Sequence, residues 1–256
     1  MRERLAGLQR IDRRLIYLLV ALLVTLPLFI PFKPRLSVSP EARQLFDFIE
    51  QMPRDKLVLV AVDWDAGTRG ENWPQTEAVI THLLRTKRKF AIFGFALQGP
   101  QFAQNIAEKW SKVYGGEYGK DWCNWGYQAG YDTTLRAIAQ NIPAAVRTDI
   151  RGTPIAKLPM MAKVRNFQDV GLIAEFTGSG YLDMYLQRVP GTPLAQGCTA
   201  IIAPEEYTYL RSGQLKGLLV GMRGAAEYEQ LLEEQDRANG AVAAPGKERV
   251  SRRARL

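Results

Sequence analysis

Two carboxylates whose type and spacing could do chemistry follow an unbroken apolar run. Asp63 and Asp65 come directly after residues 57–62 in the stretch KLVLVAVDWDAGTRGENWPQTEAVITHLL. Ligands of parallel sheets bind at the carboxyl ends of the strands. Two acids at such an end could hold a hard cation through their oxygen atoms, with Glu71 and Glu175 as further ligands. The alternative is that these acids stabilise a turn or cap a helix. An isolated motif favours this alternative.

The same acids resemble the motif of haloacid-dehalogenase-like proteins, in which two acids after the first strand hold magnesium and a phosphoryl group. In DWDAGT, however, Thr68 comes one residue later than that motif requires. FGFALQG lacks the serine or threonine expected after the second strand, and AEFTGSG lacks a downstream acidic pair. Phosphatase chemistry is therefore not predicted. The chain also contains no G-x-S-x-G, G-x-G-x-x-G or Walker sequence.

A thiol lies where a nucleophile could be held, at the end of a predicted strand. Cys198 occurs in LAQGCTAIIAPEEY, which resembles the Q-A-C signature of caspases. A thiol protease needs a neighbouring base, and the single histidine, His82, lies in the middle of a predicted helix. Cys198 is therefore predicted to be a buried structural residue. Cys123 and Cys198 are too few for a disulfide framework or a four-thiolate zinc site, and their pairing is left open.

The elements that position these residues alternate between short apolar runs and helical segments. Strands are predicted at 57–62, 89–95, 122–127, 170–176, 192–198 and 215–221. Helices are predicted near 74–86, 100–114, 131–141, 180–188, 204–211 and 224–236. Strands that are apolar on both faces and separated by helices predict a mostly parallel sheet covered on both sides. The predicted fold class is α/β, a three-layer Rossmann-like or flavodoxin-like domain over residues 56–237.

An uncharged apolar segment, LIYLLVALLVTLPLFIPF at residues 15–32, precedes this domain. Its length is near the lower limit for spanning a hydrocarbon layer of about 30 Å. It is predicted to be an uncleaved transmembrane anchor, with a cleaved signal peptide or a buried helix as alternatives. Five arginines within residues 1–14 favour a cytoplasmic N-terminus and an extracytoplasmic body at the plasma membrane. Residues 33–55 are predicted to form a juxtamembrane segment containing an amphipathic helix.

The formal net charge of +8 is concentrated at the two ends of the chain. The basic segment 1–14 and the basic tail 238–256, which is predicted to be disordered, carry nearly all of it. The body between them has little excess charge, so a nucleic-acid partner is not predicted. Membrane lipid is the expected partner of the charged ends, because basic residues are attracted to anionic leaflets.

The segments YGKDWCNWGY and QGCTAIIAPEEYTYLRSGQLKGLLVGMRGAAEYEQLL are similar to a family of uncharacterised prokaryotic membrane-anchored proteins. The likeness extends over about residues 57–232 and implies a membrane-anchored protein with no assigned catalytic residue. The predicted function is a non-catalytic binding or scaffolding component of a membrane protein assembly, without metal or cofactor and with other membrane proteins as partners. The alternative is a membrane-tethered enzyme or small-ligand sensor using the strand-end crevice. The predicted lining of that crevice is Asp63, Asp65, Asn124, Glu175 and Cys198.

Overall fold

The computed structural model describes residues 12–29 and 37–238, which belong to two compact units that divide after residue 36. The first unit contains helix α1, Arg13–Phe29, and its large apolar side chains from Leu15 to Leu26 are exposed. Of the helices in the described ranges, none has both the length and the apolar character needed to cross a bilayer. Most of the predicted basic segment, the last residues of the predicted anchor and nearly all of the basic tail lie outside the described residues.

The second unit is an α/β body whose strands alternate with helices. Its strands are β1 (Leu57–Asp63), β2 (Phe90–Gly94), β3 (Trp122–Tyr127), β4 (Val170–Thr177), β5 (Leu194–Cys198) and β6 (Leu215–Val220). Its helices are α2 (Pro40–Gln51), α3 (Arg69–Arg85), α4 (Gly99–Tyr114), α5 (Tyr131–Gln140), α6 (Ile142–Ala145), α7 (Leu182–Arg188), α8 (Ala203–Arg211) and α9 (Gly221–Ala238). Short 3-10 turns, Ile155–Lys157, Pro159–Met161 and Phe167–Asp169, fill the long connection before β4.

The six strands form one parallel sheet in the order β3-β2-β1-β4-β5-β6. This is the Rossmann order rather than the flavodoxin-like one, so the structure decides between the two predicted arrangements. The chain runs outward from β1 to β3 and then returns to the other side of β1 with β4. The carboxyl ends of β1 and β4 therefore flank the topological switch point, where ligands of this fold class bind.

Both faces of the sheet are buried, as the uninterrupted apolar strands predict. Successive side chains of a strand point to opposite faces, so β1 supplies both cores. Val58, Val60 and Val62 pack under α2, α3, α4 and α9, whereas Leu57, Leu59 and Ala61 pack under α5 to α8 and the segment before β4. Every residue of β1 is buried. Asp63, the last of them, belongs by this alternation to the second face.

Helix α2, predicted as a juxtamembrane element, is part of the body. The Ser39 side chain caps it by accepting a hydrogen bond from Ala42 N, and Pro40 occupies its first turn. Leu45 and its apolar neighbours lie in the first core. The helix lies so close to β6 that a Cβ at Gly217 would be 2.5 Å from Leu45 Cβ. The chain therefore enters the body beside β6.

Candidate functional site at the carboxyl edge of the sheet

Two of the predicted acids, Asp63 and Glu175, lie on the same face of neighbouring strands at the switch point. In the β1–β4 register, Asp63 is paired with Thr177 and Ala61 with Glu175. Asp63 is only 3% exposed and Glu175 only 1% exposed. A substrate or metal ion in solvent therefore cannot reach either carboxyl group without a rearrangement of the chain.

The carboxyl group of Asp63 is bound by its own chain. Its Oδ1 accepts a hydrogen bond from Phe95 N, and its Oδ2 accepts one from the Tyr185 hydroxyl at 3.0 Å. Burial raises the pKa of Asp63 to about 6, although the bonds from Phe95 and Tyr185 oppose that rise. Burial likewise raises the pKa of the Tyr185 hydroxyl, and the neighbouring Asp63 raises it further. These partners occupy positions that a ligand would need.

Glu175 belongs to a buried polar group that extends toward α8. Gln196 Nε2 on β5 donates to Glu175 Oε2 at 3.1 Å. Burial raises the pKa of Glu175 well above its ordinary value, and the nearby Asp63 adds to the effect. Glu206 on α8 is also buried, and its pKa is raised by desolvation. Within the described chain, Glu175 Oε1, Gln196 Oε1 and Glu206 Oε2 have no hydrogen-bond partner. Burial thus favours the neutral form of these acids.

Two buried amides of α3 close the edge from the other face. Asn72 Nδ2 donates to the carbonyl oxygens of Thr177 and Gly197, at 3.0 and 3.4 Å. Gln75 Nε2 donates to Cys198 O at 2.8 Å and to Gly221 O at 2.9 Å. The strand-end carbonyls of β4 and β5 and that of Gly221, just after β6, are therefore satisfied within the body.

The loops after β1 and β4 also touch each other. A Cβ added to Gly178 would lie 2.5 Å from Thr68 Cγ2 at the start of α3. Only a residue without a side chain allows this approach. Together with the bound carboxyl of Asp63 and the amides of α3, this contact fills the switch point.

Two of the other predicted lining residues, Asp65 and Asn124, do not join Asp63 and Glu175, whereas Cys198 lies on their face of the sheet in register with Thr177. Asp65 is exposed, and its Oδ1 accepts from Gly67 N at 2.8 Å, which is the turn role that the sequence favoured. Asn124 lies on the opposite face of the sheet, where Nδ2 donates to Pro100 O at 2.9 Å. The predicted convergence of five residues on one crevice is therefore wrong for Asp65 and Asn124.

The two cysteines are buried and free. They lie on β3 and β5, four strand positions apart in the sheet, which corresponds to about 19 Å and excludes a disulfide. Burial raises the pKa of the Cys198 thiol and of the Cys123 thiol above the ordinary value. Cys198 is therefore a buried free thiol, and its burial matches the prediction.

His82 lies in a buried network that joins three helices. Its Nδ1 is 2.7 Å from the Tyr228 hydroxyl on α9, and its Nε2 is 2.7 Å from Glu50 Oε1 on α2. Burial lowers the pKa of His82, and the bond from His82 lowers the pKa of Glu50 to about 2. A neutral imidazole that donates to Glu50 and accepts from Tyr228 fits these directions. This histidine supports packing and has no access to the carboxyl edge.

Exposed apolar side chains follow the strands along the same edge. We call this row the apolar rim; it consists of Leu97, Tyr127, Tyr131, Ile201 and Met222. Leu97 is 74% exposed and Ile201 is 84% exposed. They follow β2 and β5, and the other rim residues follow or end β3 and β6. Tyr131 stacks on both Phe95 and Tyr181 and has a φ of 40°, a conformation that is strained for a bulky residue.

A cleft of about 610 Å³ lies at the β5–β6 end of this edge, beside the start of α2. Its lining includes three carboxylates, and each is already bound within the chain. Glu41 accepts from the Tyr207 hydroxyl, Glu71 accepts from Ala200 N, and Glu227 accepts from Ser39 N. The predicted lining residues are not among those that line it. In the described part of the chain, no three His, Cys, Asp or Glu side chains are placed to hold a metal ion.

Comparison of the chain with protein-family models, with curated proteins and with solved structures found no match.

The partners that fill the site were missed from the sequence because they come from distant segments. Tyr185 contacts Asp63 across 122 residues, and Asn72 contacts Thr177 across 105 residues. The sequence did contain one indication of these contacts. Asn72 and Gln75 are polar residues three apart at the start of a helix that is buried over most of its length. Such residues must find hydrogen-bond partners inside the protein.

Proposed function

We propose that this chain is a membrane-anchored, non-catalytic binding component of a membrane protein assembly, and that the apolar rim binds a partner protein. The observation that carries the proposal is the filled switch point beneath an exposed apolar edge. A catalytic or ligand-binding crevice needs reactive groups that converge on accessible space. Here Asp63 and Glu175 are buried, and neighbouring side chains form hydrogen bonds with most of the strand-end carbonyl groups around them.

The composition of the apolar rim supports a protein partner. Tyrosine and methionine are enriched in the buried centres of protein interfaces, and charged groups are depleted there. The rim contributes two tyrosines, a methionine and two aliphatic side chains, and the strand ends hold them on a rigid sheet. Large exposed apolar side chains grouped along one edge commonly mark an interaction surface.

The membrane anchor in this proposal is supported by the N-terminal segment. The apolar side chains of α1 are exposed along the described helix, and leaving such groups in water is unfavourable. Its 17 residues correspond to about 26 Å of helix, and residues 30–32 would extend the apolar run. Arg13 and Arg14 lie at its start, which favours a cytoplasmic N-terminus and an extracytoplasmic body.

The test is co-purification of the tagged full chain from native membranes in a mild detergent. The double variant Leu97→Ser/Ile201→Ser removes the two most exposed rim side chains. The control Val113→Ser changes an exposed aliphatic residue in the last turn of α4, away from the rim. We expect a partner protein in stoichiometric amount with the wild type and the control, and its loss with the rim variant. Equal recovery of that protein with all three would contradict the proposal.

A second candidate function, a small-ligand sensor at the switch point, is favoured by one observation. The pKa of Asp63 is raised to about 6, and strongly shifted acids cluster at functional sites. In the same co-purification, this candidate expects Asp63→Asn to change partner recovery while the rim variant leaves recovery unchanged. The primary proposal expects the reverse.

A further inference from the structure

The opposite, amino edge of the sheet gathers positive charge although the body as a whole has little excess. The turns that precede the strands there carry a set of basic residues: Arg54, Lys56, Lys87, Lys89, Lys163 and Arg165. The carboxyl edge instead carries exposed acids, among them Asp65, Asp183 and Glu205. Basic residues thus gather at the amino edge and acids at the carboxyl edge. The two sets largely cancel in the net charge of the body.

A cleft of about 240 Å³ lies within this basic edge, between the turn before β1, the turn before β2 and the segment before β4. We call it the basic cleft. Its lining includes three exposed basic side chains, Arg54, Lys89 and Lys163. Leu57 and Met160, both buried, contribute apolar surface to it. The cleft therefore combines positive charge with an apolar lining.

Among the described residues, the three basic side chains have no partner for their charge. None of them forms an ion pair or a side-chain hydrogen bond with another described residue. Basic residues nearby differ in this respect. Lys56 Nζ donates to Gln168 O at 2.7 Å, and Lys120 pairs with Glu117 at 3.3 Å. Asp55 is the acid in the lining, so the cleft keeps an excess of two positive charges.

We infer that the basic cleft binds a carboxylate-rich segment of a partner protein, which places an apolar side chain against the lining and carboxylates beside the basic rim. Charge complementarity selects this occupant. The terminal segments of the chain itself are basic and would be repelled from the cleft. The volume is below the range of about 300–1,000 Å³ typical of small-molecule pockets, which suits a side chain of a peptide better than a whole ligand.

This inference goes beyond the proposed function, because the basic cleft and the apolar rim lie at opposite edges of the sheet. A variant of one surface leaves the other intact. Failure of the cleft would therefore not contradict binding at the rim, and failure at the rim would not contradict the cleft.

The experiment measures binding of a fluorescein-labelled peptide, Glu-Glu-Leu-Glu-Glu-Leu-Glu-Glu, to the full chain in a neutral detergent by fluorescence anisotropy. The cleft variant is Lys89→Glu/Lys163→Glu. The control, Lys112→Glu/Arg211→Glu, makes the same change of net charge at two other exposed positions. Circular dichroism confirms that each variant is folded. We expect saturable binding that weakens about 10-fold or more in the cleft variant and less than about twofold in the control. Added salt should weaken the binding, because the pairs are exposed.

Three results would overturn the inference. The first is no saturable binding by the wild type. The second is an equal loss of affinity in the cleft variant and the control, which would mean general charge attraction. The third is tighter binding of a single-stranded DNA octamer than of the peptide, with the same loss in the cleft variant. That result would identify the cleft as a nucleic-acid site instead.

Discussion

The substitution Asp63→Asn tests whether burial of the Asp63 carboxylate at the switch point destabilises the folded protein. Asp63 has its pKa raised from 3.8 to about 6, mainly by burial. A raised pKa means that the folded state disfavours the ionised carboxylate relative to the unfolded chain. The contribution of Asp63 to the free energy of unfolding is therefore fully present below the pKa that Asp63 has in the unfolded chain. This contribution is lost as the pH rises from about 4 to about 6, and it does not change further above pH 6.

The magnitude follows from the shift. About two pKa units correspond to about 3 kcal/mol, since each unit is worth about 1.4 kcal/mol. Asparagine is uncharged at every pH, and its oxygen still accepts the bond from Phe95 N while its amide faces the Tyr185 hydroxyl. We therefore expect the two proteins to have similar stability at pH 4. The variant should be the more stable by about 3 kcal/mol at pH 7.5.

The assay is urea unfolding of the full chain in a fixed neutral detergent, followed by tryptophan fluorescence at pH 4, 5, 6 and 7.5. The measured quantity is the difference in unfolding free energy between variant and wild type at each pH. Asp65→Asn is the control, because Asp65 is exposed two residues later and the substitution removes the same charge at the same edge. A variant that is less stable than the wild type at pH 7.5, or a difference that is the same at pH 4 and 7.5, would refute the reasoning.

Four further predictions follow from other groups of the body. Glu50→Gln should cost about 1 kcal/mol above pH 5 and progressively less toward pH 2, because the lowered pKa of Glu50 contributes stability that is lost on acidification; urea unfolding measures this. Buried His82 should contribute a loss of stability below about pH 6.5, where the unfolded chain takes up a proton that His82 resists; urea unfolding should show this as a fall in the stability of the wild type relative to His82→Asn. Cys123 and Cys198 should react with a maleimide at pH 8 only after unfolding, as mass spectrometry would show. Ser39→Ala should lower the free energy of unfolding by about 1 kcal/mol, because α2 loses its cap.

Much of the fold was predictable because it depends on local apolar pattern. The predicted strand at 122–127 matches β3, and the uninterrupted apolar run of β1 gave a strand buried on both faces. Helix α3 begins five residues before its predicted start at Pro74. Proline is favoured in the first turn of a helix, but Pro74 lies beyond the first turn of α3. The observed first turn is instead held by the Asn72 amide, which is bound to strand-end carbonyls.

The site was less predictable, because it depends on strand order and on side-chain direction. The sequence left the Rossmann-like and flavodoxin-like orders open, and only the order places Asp63 beside Glu175 at the switch point. In a strand that is buried on both faces, polarity does not show which face a residue occupies. Asn124 was therefore grouped with residues from which the sheet separates it. The separation of charge between the two edges is likewise a property of topology.

The central claim is that the carboxyl edge binds a protein through its apolar rim instead of a small ligand through the switch point. The most direct test places a photo-crosslinking amino acid at Ile201, and in a second protein at Val113, in native membranes. Both positions are exposed, but only the first lies on the rim. We predict a crosslinked product of discrete mass that contains a second protein at Ile201, with none at Val113. Products of equal yield at both positions, or none at Ile201, would contradict the account.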